Sequence, residues 1–159
     1  MFNYTIEEIK MVSIQLLRRY TLFSDLSNEQ LYKLCSICET SEYQADQMIF
    51  QAGEAASHLC FVLEGKVDLL TEFPDGSQKA WMDVTSGFLL CWSSVVEPYR
   101  YSFSARAATP LRMLKIDGPG LRQQMADDHD LGFVMMTHVA HAIAERLKAT
   151  RTMLVSLRA

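Results

Sequence analysis

The residues of this 159-residue chain that could do chemistry fall into three sets. Cys35 and Cys38 form a Cys-x-x-Cys, but the surrounding "EQLYKLCSIC" reads as a helix and no second pair stands at zinc spacing. A redox pair belongs at a helix start after a strand, and this one falls near a helix end. Core packing is the expected role. His58, His129, His138 and His141 are scattered over one strand and the C-terminal helices, whereas a metal-dependent roll enzyme needs neighbouring strands to bring two or three together. No Gly-x-Ser-x-Gly elbow is present. The third set is "GFLLCWSSVVEPYRYSFSARAATP", positions 87 to 110. Here Gly87 opens an apolar run, the Ser93–Ser94 pair follows, and Arg100, Tyr101 and Ser102 come after a proline turn. Serine hydroxyls, backbone N–H groups and a guanidinium are what an anion site is made of.

The elements that must position these groups are legible from periodicity. Apolar residues from Ile6 to Leu17 recur at helical spacing, with Thr5 and Glu8 as a capping box, so a helix is expected over 5–20. "LFSDLSNEQLYKLCSIC" gives a second helix with Ser27 as N-cap and Gln30 closing another box. Between Glu39 and Asp117, strands are expected at 40–43, 47–51, 58–64, 66–72, 78–84, 88–90, 101–108 and 111–116. Gly53, Gly65, Pro74-Asp75-Gly76, Gly87 and Pro98 punctuate them. So many short strands point to a closed antiparallel roll, jelly-roll-like, in an α+β chain. Along the strand at 101–108, Tyr101, Phe103 and Ala105 would share one face, and Arg100, Ser102, Ser104 and Arg106 the other.

A short helix begins near Pro119 and a long one near Leu131, with the Asp127-Asp128-His129-Asp130 run as its N-terminal cap. The division expected is 1–20 N-terminal helix, 21–130 roll and 131–159 long helix. Met136, Val139, Ile143, Arg146, Thr150, Met153 and Leu157 follow a 3-4 spacing, flanked by Leu147 and Leu154. That seam, on a helix too long for a small roll to cover, predicts a homodimer through 131–157.

Composition bounds the rest. Hydrophobic residues make up 49% of the chain, enough for a buried core. The net charge is −4, and Arg146, Lys148, Arg151 and Arg158 near the end read as a solvated helix face, so no nucleic-acid partner is expected for this chain by itself. No apolar run suits a bilayer span, the N-terminus is no secretory signal, and four Cys fit a reducing compartment. A cytoplasmic protein without membrane attachment is expected.

Taken in order, several segments resemble the cyclic-nucleotide-binding domain, the sensor of catabolite-activator-type regulators, kinase regulatory subunits and some channels. "LFSDLSNEQLYKL" is similar to the family's opening helix, and "IFQAGEAASHLCFVLEGKVDLL" to its Gly-to-Gly signature, with Gly53 and Gly65 twelve apart. "RAATPLRMLKID" is similar to its closing strand pair, and the terminal helix to its dimerisation helix. The similarity runs from about position 21 to 155. It implies a non-enzymatic regulatory sensor that binds a small anionic or nucleotide-like ligand, acts on a regulated partner protein and signals through the C-terminal helix. It also implies cyclic nucleotide, cAMP or cGMP, held after Gly87 by a helix N-terminus, a Glu for the ribose hydroxyl and an Arg nine residues later for the phosphate. This chain departs at both handles: Trp92 takes the Glu position and Tyr101 the Arg position. Trp offers only an N–H donor, and Tyr carries no charge near neutral pH. The remaining candidates are Gly87, Ser93, Ser94, Ser102, Arg100 if the loop shifts by one residue, and Thr150, which matches the family position that approaches the base. The alternative is a degenerate, ligand-free dimerisation or interaction module, its pocket filled by Trp92, Tyr101 and Phe103.

Overall fold

Gly65 shows how tightly the roll is turned. It joins β3 (His58–Glu64) to β4 (Lys66–Glu72) with φ +97, and a Cβ there would lie 2.4 Å from the Pro110 carbonyl oxygen. Only glycine has both the left-handed backbone and the missing atom that this turn requires. The computed structural model describes residues 11–158. Among them, β1 (Cys38–Tyr43), β2 (Met48–Phe50), β3, β4, β5 (Gln78–Thr85), β6 (Leu89–Cys91), β7 (Ser104–Ala107) and β8 (Leu111–Asp117) form two antiparallel sheets. Their orders are β1-β8-β3-β6 and β2-β7-β4-β5. This is the expected α+β roll.

Burial explains why the central strand reads as a continuous apolar run. Leu59, Phe61 and Leu63 on β3 face a helical cluster with Leu31, Leu34, Leu121 and Leu131. Cys60 and Val62, alternating with them, face the second sheet, against Val67, Leu69 and Ala105. Both faces of the first sheet are covered, so period-2 alternation brings a buried side chain at every step.

The helices are α1 (Ile14–Arg18), α2 (Asn28–Cys35), α3 (Gly118–Asp127) and α4 (His129–Arg158). Within the described residues, the part of the expected 5–20 helix that forms is Ile14–Arg18: Ser13 is extended and its side chain accepts from the Leu16 N–H, which starts α1 there. The Thr5–Glu8 box lies outside the described residues. The Ser27–Gln30 box forms as expected, with Ser27 N–H donating to Gln30 Oε1 at 2.9 Å and Gln30 N–H to Ser27 Oγ at 3.1 Å. Cys38 is not helical. It opens β1 opposite Ile116, because α2 ends at Cys35. All four cysteines are free thiols.

The helix α4 begins at His129, and Asp128 Oδ1 accepts from the Leu131 N–H at 3.1 Å. Its 30 residues span about 45 Å. Leu131, Met135 and Val139 are buried against the roll, and the stripe continues through Ala142 to Arg146. This corrects the expected seam: Val139 and Arg146 turn inward. The face left open carries Phe133, Met136, Ala140, Ile143, Leu147, Thr150, Leu154 and Leu157, again at 3-4 spacing. Among the described residues no helix is long and apolar enough to cross a membrane.

Candidate functional site: the cassette between β6 and β7

Gly87 opens the cassette with φ +91, in open space, so its need is for a backbone conformation and not for room. Its N–H donates to the Val62 carbonyl at 2.9 Å, which holds the turn against β3. After β6 the chain makes a single 3-10 turn, Ser93–Val95, with Trp92 at its N-cap. The Ser93 N–H is taken up by Cys91 Sγ at 3.4 Å. The helix N-terminus implied by the resemblance is therefore one short turn, and the three serines do not converge. Ser94 is fully buried against Gly118, where a Cβ would approach the Ser94 Cβ to 2.8 Å, and its Oγ has no protein partner. Ser93 is half-buried and Ser102 is exposed.

The segment from Val96 to Phe103 is an irregular loop, not the start of a strand. Backbone bonds explain why. Tyr101 N–H donates to the Glu54 carbonyl at 3.0 Å, and its own carbonyl accepts from Gly53 N–H at 2.8 Å. Tyr99, at φ +57, accepts through its carbonyl from Ala56 N–H at 2.8 Å. The loop is thus tied to the β2–β3 connection, and β7 pairing starts only at Ser104. The expected faces still hold, with Tyr101, Phe103 and Ala105 in one core cluster and Arg100 and Ser102 exposed, but Ser104 is buried, its Oγ accepting from Ala52 N–H at 2.9 Å. Arg100 does not enter the cassette, because its Nη1 donates to the Gly53 carbonyl at 2.8 Å on the outer side.

Tyr101 is 8% exposed and stacks on Phe50 with ring centroids 3.8 Å apart and planes 9° from parallel. Burial, with the Cys60 and Cys91 thiols nearby, pushes its phenol well above the usual range. Phe103 continues the aromatic row, 5.8 Å from Phe50 and 6.3 Å from Trp81. Cys60 and Cys91 sit directly opposite each other on β3 and β6, and burial raises both thiols.

The group that sequence reasoning did not place in the site is Arg146. From α4 its guanidinium reaches across to β6, Nη1 donating to the Leu90 carbonyl at 2.9 Å and Nη2 to the Leu89 carbonyl at 3.0 Å. It lies 4.4 Å from the Trp92 ring centroid and 5.6 Å from that of Phe103. Burial draws its pKa down to about 10. One signal was available in the sequence. The stripe Leu131, Met135, Val139, Ala142 extends at helical steps onto Arg146. Thr150, one turn on, is exposed and its Oγ1 donates to the Arg146 carbonyl at 2.7 Å. A second arginine, Arg122 of α3, donates to the Ser94 carbonyl and lies 4.1 Å from the Tyr99 ring. It locks the 3-10 turn to the loop.

Two four-stranded antiparallel sheets with a glycine-opened cassette between the sixth and seventh strands, leading into one long helix, are the architecture of a regulatory sensor domain. The sequence profile of the cyclic nucleotide-binding domain matches residues 40–128. The chain belongs to that family, whose domains are regulatory and not enzymatic. It is 22% identical over 143 residues to a CRP-like cAMP-activated global transcriptional regulator of Mycobacterium tuberculosis, covering 90% of this chain and 62% of that protein. The chain thus spans about three-fifths of the length of this relative. A solved structure from Geobacter metallireducens, named for cyclic nucleotide binding, is 34% identical, with TM-score 0.77 over 86% of this chain and 99% of that one. A cyclic nucleotide-binding domain from Methylobacillus flagellatus shares the fold at TM-score 0.75 and 20% identity, covering 89% of this chain and 80% of that one.

Proposed function

We propose that this chain is a cytoplasmic small-ligand sensor that pairs with a second copy through α4 and relays occupancy of its roll along that helix. Its ligand is anionic or nucleotide-like, but it is not gripped as the family grips a cyclic nucleotide. The observation that carries this reading is Tyr101. The residue at the family's phosphate-binding position is uncharged, buried and stacked on Phe50, and Trp92 stands where the ribose carboxylate would be. Losing two charge-assisted contacts, each worth about 1.5–3 kcal/mol, weakens cyclic-nucleotide binding by roughly a hundredfold or more. The Mycobacterium tuberculosis relative is named as cAMP-activated. This chain keeps that architecture with a different set of handles, and by itself it binds no nucleic acid.

The test is calorimetry with cAMP, cGMP and a panel of anionic metabolites. We expect cAMP no tighter than about millimolar and one other anion at micromolar strength. Micromolar cAMP binding would reject the altered-pocket reading. A second reading, a ligand-free interaction module, is supported by the Phe50–Tyr101–Phe103–Trp81 row, which fills space between the sheets with rings. It predicts no heat with any of the panel.

A further inference from the structure

We propose that Cys35 and Cys38 form a redox-modification site, a dithiol that a low-molecular-weight disulfide converts to an intrachain disulfide across the turn from α2 to β1. The inference is independent of the small-ligand reading, because the pair packs on the helical cluster and shares no residue with the cassette. Core packing is the role expected if both residues lie on one helix. The chain instead leaves α2 at Cys35, turns through Ser36 and Ile37, and enters β1 at Cys38. A turn brings its first and fourth Cα atoms within about 7 Å, and disulfides span about 4.4–6.8 Å. Both side chains line one surface groove of about 910 Å³, with Met11, Tyr32, Ser36 and Glu39 around them. Each is half-buried, packed on the core from one side and open to the groove on the other. Cys60 and Cys91 make the contrast. They also face each other, but both are 1% exposed, so a reagent reaches them only when the roll opens.

The exchange balances within the pair. The Cys35 thiolate attacks the reagent disulfide, bonds one of its sulfurs and releases the other as a thiolate. The Cys38 thiolate then attacks the Cys35 sulfur and releases the second. Two protein thiols are oxidised to one S–S bond, one reagent disulfide is reduced to two thiols, and the two protein thiol protons end on the released sulfurs. Burial raises both thiols, and Cys35 beside it raises Cys38 further, so Cys35 is the attacking group. Such a pair exchanges slowly, but its disulfide resists reduction, because oxidising strength belongs to dithiols whose thiolates are stabilised. The same turn is bonded to α3. The Lys33 carbonyl accepts from Ser36 N–H at 3.2 Å and from Gln124 Nε2 at 2.9 Å. Drawing Cys35 onto Cys38 moves the last turn of α2, and with it the carbonyl that holds Gln124. Helix α3 leads through Asp128 into α4, so the thiol state acts on the long helix from outside the cassette.

Packing alone is the competing role, and the fate of the thiols separates the two. The full chain, reduced and then freed of reductant, is incubated folded with oxidised glutathione, alkylated in denaturant and mapped by fragment-ion mass spectrometry. We expect one intrachain Cys35–Cys38 link, read as the loss of two hydrogens, with Cys60 and Cys91 alkylated. Cys38→Ser should stop at a mixed disulfide on Cys35, because no second thiol is there to release the glutathione. Three results in the wild type each overturn the proposal: a mixed disulfide that persists on Cys35, a link between two chains, or a pair still reduced at about a hundredfold excess of oxidised over reduced glutathione. Hydrogen exchange of the α3 amides should change once the link forms, and unchanged exchange overturns the coupling to α3. Each of these results leaves the reading of the cassette as it stands.

Discussion

Leu147→Asp tests the α4 seam at its centre. Leu147 is 67% exposed in the single chain, between Ile143 and Leu154 on the open face, and Phe133, Leu154 and Leu157 are exposed beside it. Fully burying a leucine side chain is worth roughly 1.5–3 kcal/mol, so the exposed two-thirds has about 1–2 kcal/mol still to gain. A twofold interface contains the residue twice, which makes about 2–4 kcal/mol for the pair. Aspartate in both copies adds the desolvation of two unpaired carboxylates, at least about 1 kcal/mol more. The dissociation constant should therefore rise by about two to four powers of ten. Sedimentation velocity over roughly 1–100 µM reads this directly, a window that spans the micromolar range of the affinity scale. The wild type should run as a dimer and Leu147→Asp as a monomer. Thr152→Asp, with the same charge on the outward face, should leave the dimer intact. A wild type that is monomeric at the top of that range refutes the seam. If Leu147→Asp dimerises normally while Met153→Asp does not, the interface lies on the stripe shared with Val139 and Arg146, and the α4 register given above is wrong.

Three further outcomes follow from packing and titration. Gly65→Ala places a Cβ 2.4 Å from the Pro110 carbonyl at a φ of +97, so it should destabilise the fold by about 3 kcal/mol or more, seen as a fall in Tm by calorimetry. Burial raises the Cys60 and Cys91 thiols in the folded chain, so above about pH 8.5 the unfolded chain sheds protons that the native one keeps. Stability in urea with reductant should then be full below that pH and fall above it, and Cys60→Ala should flatten the slope by up to about 1.4 kcal/mol per pH unit; an unchanged slope would mean the thiol ionises in place. Finally, Trp92→Glu with Tyr101→Arg should fail to restore micromolar cAMP binding, because the new guanidinium replaces a ring stacked on Phe50 and the new carboxylate pairs with Arg146. Calorimetry on a folded double variant decides, and micromolar heat would show that only two residues separate this pocket from a cyclic-nucleotide site.

The roll was readable because its turns are made by residues with one conformational purpose. Gly65 and the Pro74-Asp75-Gly76 corner each follow a short apolar strand and mark where it must turn. The stretch 101–103, expected as the start of a strand, was not readable for the opposite reason. Its residues alternate well enough to be a strand, and only the backbone bonds to Gly53, Glu54 and Ala56, far away in sequence, override that local preference. The same limit applies to α1, where Ser13 competes for the backbone and a periodic pattern gives way to a cap.

The helix α4 carries two stripes with overlapping 3-4 spacing, and periodicity cannot say which one the roll claims. Val139 belongs to both patterns by hydrophobicity but to the roll by burial, and that shifts the open seam to Leu147 and Leu154. Arg146 is where this ambiguity hid the contact between α4 and the cassette. A lone arginine on a C-terminal helix reads as solvated, and a tryptophan in place of a glutamate reads as a lost handle. Set 4.4 Å apart, they make physical sense together: the indole face packs on the guanidinium while the Leu89 and Leu90 carbonyls take its N–H groups. One rigid helix thus both touches the cassette and carries the open face, so its register fixes the two together.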